Sequence, residues 1–509
     1  MIIWRDGVVT GTGAAWRGAL ELQVEIAAGP AEPAAVGPGT SVKALAYTDL
    51  VGTPAVGDRV SLTCSALARG LGTGGYAMVA AVPDALPADP PASPGHLVKA
   101  RYTPLQPMVL GVDEQESDAH ALLTDADDLG GIPVVVADLH SAVPAILAGM
   151  RAEAAAADRP APRVAYLMTD GGALPAWFSR SLARLRETGW LEASITVGQA
   201  FGGDLEAVTV HSGLLAARHV LGVDAVVVAQ GPGNLGTGTR WGFSGVAAGE
   251  VLNAAGVLRG RGIASLRVSD ADARGRHRGV SHHSATAYGR VALAASDVVV
   301  PSAYGADVPG WSGALQDDVV AAARAITHPR TPHRFVAQPL AGLTEALAEV
   351  PVRLSTMGRS IEQDPSPFLA AAAAGRWAAR LLAPVTGTVH HLALAADWDD
   401  AVSGGTYAVS TRGVPLAAQG FVHASRADQV DGVADAFYAD LADGGAVLLD
   451  VDADALREAG VAVVAEPGDP RNASPRAERF PHVYGAIPTA AVRAVRPWRG
   501  SVRATDDVS

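Results

Sequence analysis

The chain of 509 residues contains a single cysteine, Cys64, and two lysines, Lys43 and Lys99. One thiol excludes intramolecular disulfides, cysteine zinc fingers and cysteine-bound iron–sulfur clusters, and it fits a reducing compartment. With lysine so scarce, cationic work falls to arginine. No Gly-Lys-Ser/Thr of a phosphate-loop NTPase is present, and few residues could form a Schiff base. No G-x-S-x-G elbow supports a hydrolase triad. Apolar runs stay below the roughly 18 to 20 residues of a membrane span, and the opening Met-Ile-Ile-Trp-Arg-Asp lacks a basic leader followed by an apolar stretch. A cytoplasmic protein with no membrane partner is expected. Basic charge is also lacking: the formal net charge is -13, which argues against nucleic-acid partners. A small anionic metabolite or a nucleotide remains as the expected ligand. Oligomeric state is not encoded in any pattern we find.

What is present is organised in three units. Residues 1–97 alternate apolar and polar positions in short runs (Gly7–Thr10, Ala19–Ile26, Val42–Tyr47, Val56–Leu62), the period of strands in a small β-barrel. Glycines at 72, 74 and 75 read as a tight turn or a loop approaching a ligand. Five prolines between 83 and 94 mark a linker, where neither helix nor central strand can continue. Residues 98–380 alternate strand and helix, the signature of a doubly wound, Rossmann-like, mainly parallel sheet. The expected strands are 107–112, 133–137, 163–168, 193–197, 225–229, 263–268 and 297–301. An alanine-rich helix over 367–382 closes this unit. Residues 389–500 mix strands and helices as a separate α+β module.

Strands buried on both faces leave polar chemistry to their carboxyl ends. Here those ends carry Asp138-Leu-His140, Asp170-Gly171-Gly172, Gly202-Gly203-Asp204, Gly231-Pro-Gly233-Asn-Leu-Gly236-Thr237 and Arg267-Val-Ser-Asp270. The segment Gly231 to Gly236 matches G-x-G-x-x-G, yet Pro232 removes an amide and the next helix starts late, against a dinucleotide fingerprint. A glycine cradle for phosphate or carboxylate, or a structural loop, are the alternatives. The loop Arg276-His277-Arg278-Gly-Val-Ser-His282-His283 reads as an anion clamp with histidines for proton transfer, or as a solvated surface loop. Asp170 and Asp204 are candidate general acid and base or helix caps. Carboxylates with histidines could also hold a divalent metal, though no fixed metal spacing occurs. Arg359 would bind an anion or pair with a surface carboxylate, and Glu114 with Glu116 would complete the pocket.

Two resemblances follow from longer motifs. Arg101 to Gln106, Met168 to Pro175, Phe201 to Ala207, Gly231 to Thr239 and Arg276 to His283 resemble the family termed domain of unknown function 3866, over residues 1–380. That family brings no activity with it. Val389-His-His391, Gly420-Phe-Val-His423 and Phe480-Pro-His482-Val-Tyr484 resemble domain of unknown function 952, which is similar to the ADP-ribosyltransferase and RNA 2'-phosphotransferase superfamily. By that likeness the module is ADP-ribosyltransferase-like and binds NAD or ADP-ribose. His391 would hold a ribose hydroxyl, and His423 would sit near nicotinamide or phosphate. His482 stands where such transferases place a glutamate, with Glu466 as a substitute; the three histidines could equally be partnered core residues. The expectation is an enzyme acting on a phosphorylated or carboxylated small molecule, with group transfer as the candidate reaction. A nucleotide-binding sensor and a nicotinamide oxidoreductase are the alternatives.

Overall fold

The computed structural model describes residues 2–498 apart from Ala34, 72–73, Ala173, 328–330, Pro332, 442–443, Ala473 and Pro475. Part of the glycine run 72–75 thus lies outside the described residues; Gly74 and Gly75 take positive φ.

At the amino end, Trp4–Trp16, Ala19–Ala28, Ser41–Ala46, Ala77–Ala81 and Arg59–Thr63 close into a barrel in that spatial order. Period-two alternation sends Leu22, Val24, Ile26, Val60 and Leu62 into its core. Gly18 makes its contact with the next unit. A Cβ there would stand 2.4 Å from the Trp177 ring, and the Trp16 indole donates to Trp177 O at 2.6 Å.

Eight strands form the central sheet, in the order Leu205–Glu206, Ala193–Thr196, Val164–Thr169, Ala225–Gln230, Pro133–Val136, Arg261–Ser265, Asp297–Ser302 and Arg334–Pro339. Every pairing in it is parallel. Runs such as Val134-Val-Val136 and Val226-Val-Val228 are wholly buried. Burying each such side chain stabilises by about 1.5–3 kcal/mol, and β-branched residues suit the pleat. The apolar run at 107–112 meets this sheet at its end, where Gly111 bridges Glu206 of the edge strand in parallel and Val112 N donates to Glu206 O at 2.7 Å. Met108–Val109 pairs with Leu97–Val98, because the linker chain lies beside it. Leu205–Glu206 adds an edge strand, and the following helix starts at Val210, where Thr209 caps it.

Connections diverge at the sheet's middle. From Pro133–Val136 the chain enters helix Val143–Ala156, which packs with Ser366–Leu381; from the neighbouring Ala225–Gln230 it enters Ala247–Val257, which packs on the sheet with the 210–220 and 282–291 helical segments. Where adjacent parallel strands send their chains to opposite faces, a crevice opens at their carboxyl ends. Helices Val143–Ala156 and Ser366–Leu381 cross with backbones touching. A Cβ on Gly149 would lie 1.9 Å from Ala372 O, and one on Gly375 would lie 1.9 Å from Ile146 O. Beyond the helix, residues 388–497 build two three-stranded antiparallel sheets, Thr388–Leu394 with Ala446–Asp452 and Val492–Pro497, and Val422–His423 with Arg479–Tyr484 and Ala462–Pro467.

Gly375→Ala should therefore destabilise the protein by about 1–3 kcal/mol or more, since the added methyl must displace a helix backbone. Gly432→Ala, in a helix with nothing within 4 Å of the new methyl, should be neutral or stabilising by about 0.5–1 kcal/mol. Thermal melts of the two variants distinguish these outcomes.

Candidate functional site at the carboxyl edge of the sheet

The crevice contains a cavity of ≈ 300 Å³ lined by His140, Ser141, Gly233, Asn234, Arg353 and Thr356, among others. A smaller cavity of ≈ 30 Å³ shares Ser141 and Thr356 with it and reaches Asp138, Arg267 and Arg359. Gly233 at φ 98, with nothing within 4 Å of a built Cβ, forms part of the open wall. Gly171 and Gly172 have a different use. Side chains there would collide with Gln230 Oε1 at 2.9 Å and Gly231 O at 2.2 Å, so these glycines let two loops pack closely. Gly231 to Gly236 does not open a helix: Gly236 pairs with Phe243 in an exposed hairpin, Thr237 bonds Thr239 and Gly242 O there, and the α-helix begins at Ala247. The dinucleotide fingerprint is not built.

Polar groups on the floor are fixed by short loops. Gln230 Nε2 donates to Asp138 O at 2.7 Å and to Asn234 Oδ1 at 3.3 Å. Arg267 Nη1 lies 3.6 Å from Asp138 Oδ2 and 3.2 Å from His283 Nδ1. Burial raises the Asp138 carboxyl, with Arg267 opposing. Asp138 Oδ2, Gln230 Oε1, His282 Nε2 and Arg359 Nε are buried without a hydrogen-bond partner among the described residues.

The histidine loop sits against this floor. Ser281 caps the helix His282–Thr286 by accepting from His283 N, and its Oγ lies 2.8 Å from His277 Nδ1. His283 is 3.7 Å from Asp138 Oδ2 through Nδ1 and stacks on Phe243 at 3.8 Å. His277, His282 and His283 gather ring to ring at 4.4–4.9 Å. Burial and then the Arg267 charge push His277 down to about 4 and His283 to about 3; burial and Arg276 lower His282. All three are neutral imidazoles at neutral pH.

In the carboxyl-terminal unit, His391 is closed in by His423 O at 2.6 Å and Tyr407 OH at 3.0 Å. His423 lies across the sheet from His482 with ring centroids 4.9 Å apart. His482 Nδ1 is 2.8 Å from Glu466 Oε2, which also accepts from Tyr484 OH at 2.8 Å. Glu466 pairs with Arg380 of helix Ser366–Leu381. Arg380 in turn donates to Gln338 Oε1 at 2.9 Å and lies 3.3 Å from Glu153, which Arg479 also meets at 3.0 Å. Burial would raise Glu466, but Arg380 and His482 outweigh it and hold the carboxyl at about 2. The cavity beside Glu466 and His482 measures ≈ 10 Å³, the room of one water.

A family model described as protein of unknown function (DUF3866) matches residues 43–375, which is more than half of the chain. The chain belongs to the DUF3866 family. A second model, protein of unknown function (DUF952), matches residues 392–495, so two modules are fused. No curated protein and no solved structure matches the chain.

Within the DUF3866 part, the carboxylates singled out from sequence do not meet. Asp170 is exposed and accepts from Gln199 N at 3.1 Å. The Gly202-Gly203 turn carries Asp204 back to the amino end of the neighbouring strand, where it accepts from Ser194 N at 2.7 Å and pairs with Arg186 and the barrel's Arg17. Burial raises its carboxyl, and these donors outweigh that to hold it at about 2. Gly202 N and Gly203 N are spent on Glu206 and Thr196. His140 has both nitrogens engaged, with Tyr166 OH at 2.9 Å and Ser179 Oγ at 2.7 Å. Arg278 faces Asp270 at 3.5 Å on the surface, and Arg276 is exposed at the rim. Arg359 pairs with Asp272 at 3.1 Å, and Arg274 with Arg359 keeps that carboxyl low. Glu114 is tied to His96 and Gly111 N at the linker, outside the crevice. Sequence reasoning passed over Gln230 and Arg353 and named Asn234 and Arg267 only as parts of strand tips, without a role. The available signal was an amide and a guanidinium closing otherwise apolar strand runs.

The buried histidines set an acid limit. His140, His391 and His423 are each lowered to about 4, mainly by burial. The unfolded chain takes up protons near 6.5, so stability should fall as pH drops from about 6.5 to about 4. A melting temperature flat across that window contradicts this. Arg380→Met leaves Glu466 and Glu153 facing each other's charge without their shared cation. It should cost about 3–5 kcal/mol, read as a lower melting temperature at pH 7.

Proposed function

We propose that the protein is an enzyme that holds a small phosphorylated or carboxylated metabolite in the crevice and acts on it by proton transfer. The observation that carries this reading is a set of buried polar atoms without a hydrogen bond at one edge: Asp138 Oδ2 and Arg359 Nε beside the ≈ 30 Å³ cavity, Gln230 Oε1 beside an adjoining one of ≈ 10 Å³, and His282 Nε2 on the histidine loop. Buried polar atoms nearly always have a hydrogen bond, so free valences of this kind at the carboxyl edge are available to a polar ligand. Arg353 at the mouth and Arg267 with Arg359 on the floor supply cations suited to oxyanions. Proton transfer falls to Asp138 and His283, 3.7 Å apart, rather than to Asp170 and Asp204. Their environments push the two groups towards the protonated acid and the neutral imidazole, the arrangement that general acid–base chemistry uses.

Within this reading the carboxyl-terminal unit is a clamp on helix Ser366–Leu381. The ≈ 10 Å³ cavity beside His482 favours that role over NAD or ADP-ribose binding in the docked arrangement.

Calorimetry of the full chain against inorganic phosphate, phosphorylated sugars, dicarboxylates and mononucleotides tests the reading. Binding of at least one member is expected, weakened about tenfold or more by Arg353→Gln, as for a lost charged hydrogen bond of ~1.5–3 kcal/mol. Arg278→Gln should leave it unchanged. No binding across the panel, or binding indifferent to Arg353, refutes it.

A further inference from the structure

We propose that His277, His282 and His283 form a binding site for a zinc-class divalent cation, with one coordination position left for water or a substrate oxygen. This rests on the crevice reading, since Asp138 belongs to both, and makes His283 a ligand rather than a proton carrier when the ion is bound.

The donors are of one kind and close together. One nitrogen from each ring lies within 4.8 Å of those of the other two. A tetrahedral ion with Zn–N bonds of ~2.0–2.1 Å needs its nitrogens ~3.3 Å apart, so side-chain torsions alone can close the set. Imidazole triads suit zinc and its neighbours in the transition series, whereas calcium and magnesium want oxygen. Three protein ligands with a fourth position open is the pattern of reactive rather than structural zinc.

Each ring also has a nitrogen to give. His282 Nε2 is buried with no hydrogen-bond partner. His277 commits Nδ1 to Ser281 Oγ at 2.8 Å, and His283 presents Nδ1 to Asp138, Arg267 and Asn234. Their Nε2 atoms have no partner among the described residues. A histidine ligating through Nε2 carries its proton on Nδ1 and usually donates it to a carboxylate or hydroxyl. Arg267 Nη1, 3.2 Å from His283 Nδ1, is a donor there, so ligation through Nε2 requires the imidazole to turn its Nδ1–H from Arg267 to Asp138 Oδ2, which lies 3.7 Å away and is itself without a hydrogen bond.

Charge is the argument on the other side. Arg267 stands 3.2 Å from His283, and Arg274 and Arg276 are near. Asp272 offsets Arg274, Arg267 faces Asp138, whose carboxyl burial pushes towards the neutral form, and Arg276 has no carboxylate partner among the described residues. A divalent ion beside these arginines would make the edge strongly attractive to an anion, consistent with the ligand class proposed above.

The second cluster with metal-compatible spacing, His96, Glu114 and Glu116, is largely exposed and serves as the internal comparison. The full chain, stripped with chelator and dialysed against Zn²⁺ or Co²⁺ with no anionic metabolite present, should bind one ion per chain. Cobalt should give the visible absorption of tetrahedral coordination. His282→Gln, at a half-buried position, and His277→Gln should each weaken binding by about 100-fold, a full ligand mattering at least as much as the 10–100-fold of an outer-shell partner, while His96→Gln should not. Melting curves show whether each variant is folded. A wild-type chain that binds no ion, or binding that survives both substitutions or is lost with His96→Gln, overturns the proposal. Because no anion is present, that failure leaves the crevice's anion titration to be judged separately.

Discussion

The contact on which the molecule turns is the crossing of helices Val143–Ala156 and Ser366–Leu381, where Gly149 and Gly375 bring the two backbones together. No side chain separates them, so the second helix has little freedom of position. At its start, Asp364 accepts from Ser269 at 2.6 Å and Ser366 from Asp270 N at 3.1 Å, which pins the loop carrying the crevice floor. Midway, the Trp377 indole donates to Asp297 Oδ2 at 2.8 Å under the sheet. Near its end, Arg380 reaches Glu466 of the carboxyl-terminal unit. One helix thus ties the floor of the site, the sheet and the second module together.

Buried charge follows from the same arrangement. With lysine almost absent, guanidinium groups serve the buried carboxylates, and Asp297 and Glu153 each meet more than one of them. Asp297 holds Arg261 and Arg334, and Glu153 holds Arg376, Arg380 and Arg479. The planar fork makes such sharing feasible where an ammonium would not. Lys99, one of the two lysines, is the exception. It is buried and donates to three carbonyls, Gly198 O, Ala200 O and Ala207 O, fixing the turn that displaces Asp204.

Much of the architecture was legible because its signals are local. Apolar runs of four to six residues broken by helical stretches announce a parallel sheet, and period-two alternation announced the barrel, although its last strand, Ala77–Ala81, carries too weak an alternation to be read. The site was legible in part. His277, His282 and His283 do gather, with Gly233 and Arg359 at the crevice. Asp170 and Asp204 do not meet, because whether two strand tips face one another depends on register and on the sense of an intervening turn. In the carboxyl-terminal module His423 and His482 meet across paired strands, a register that sequence did not announce. Nothing local told that His482 and Glu466 would be covered by a helix from the preceding module.

By itself the sequence determined what each segment could become, since backbone propensity, glycine freedom and hydrophobic period act within a few residues. It determined the family, the parallel sheet and the edge at which polar groups collect. Only the tertiary structure decided which of those groups meet. Strand order placed Ala225–Gln230 beside Pro133–Val136 and so set Gln230 on Asp138. Burial then turned a string of arginines and histidines into a cluster of neutral imidazoles beside a protected carboxyl. Long-range packing makes both choices, because only it brings together residues far apart in the chain and removes their water.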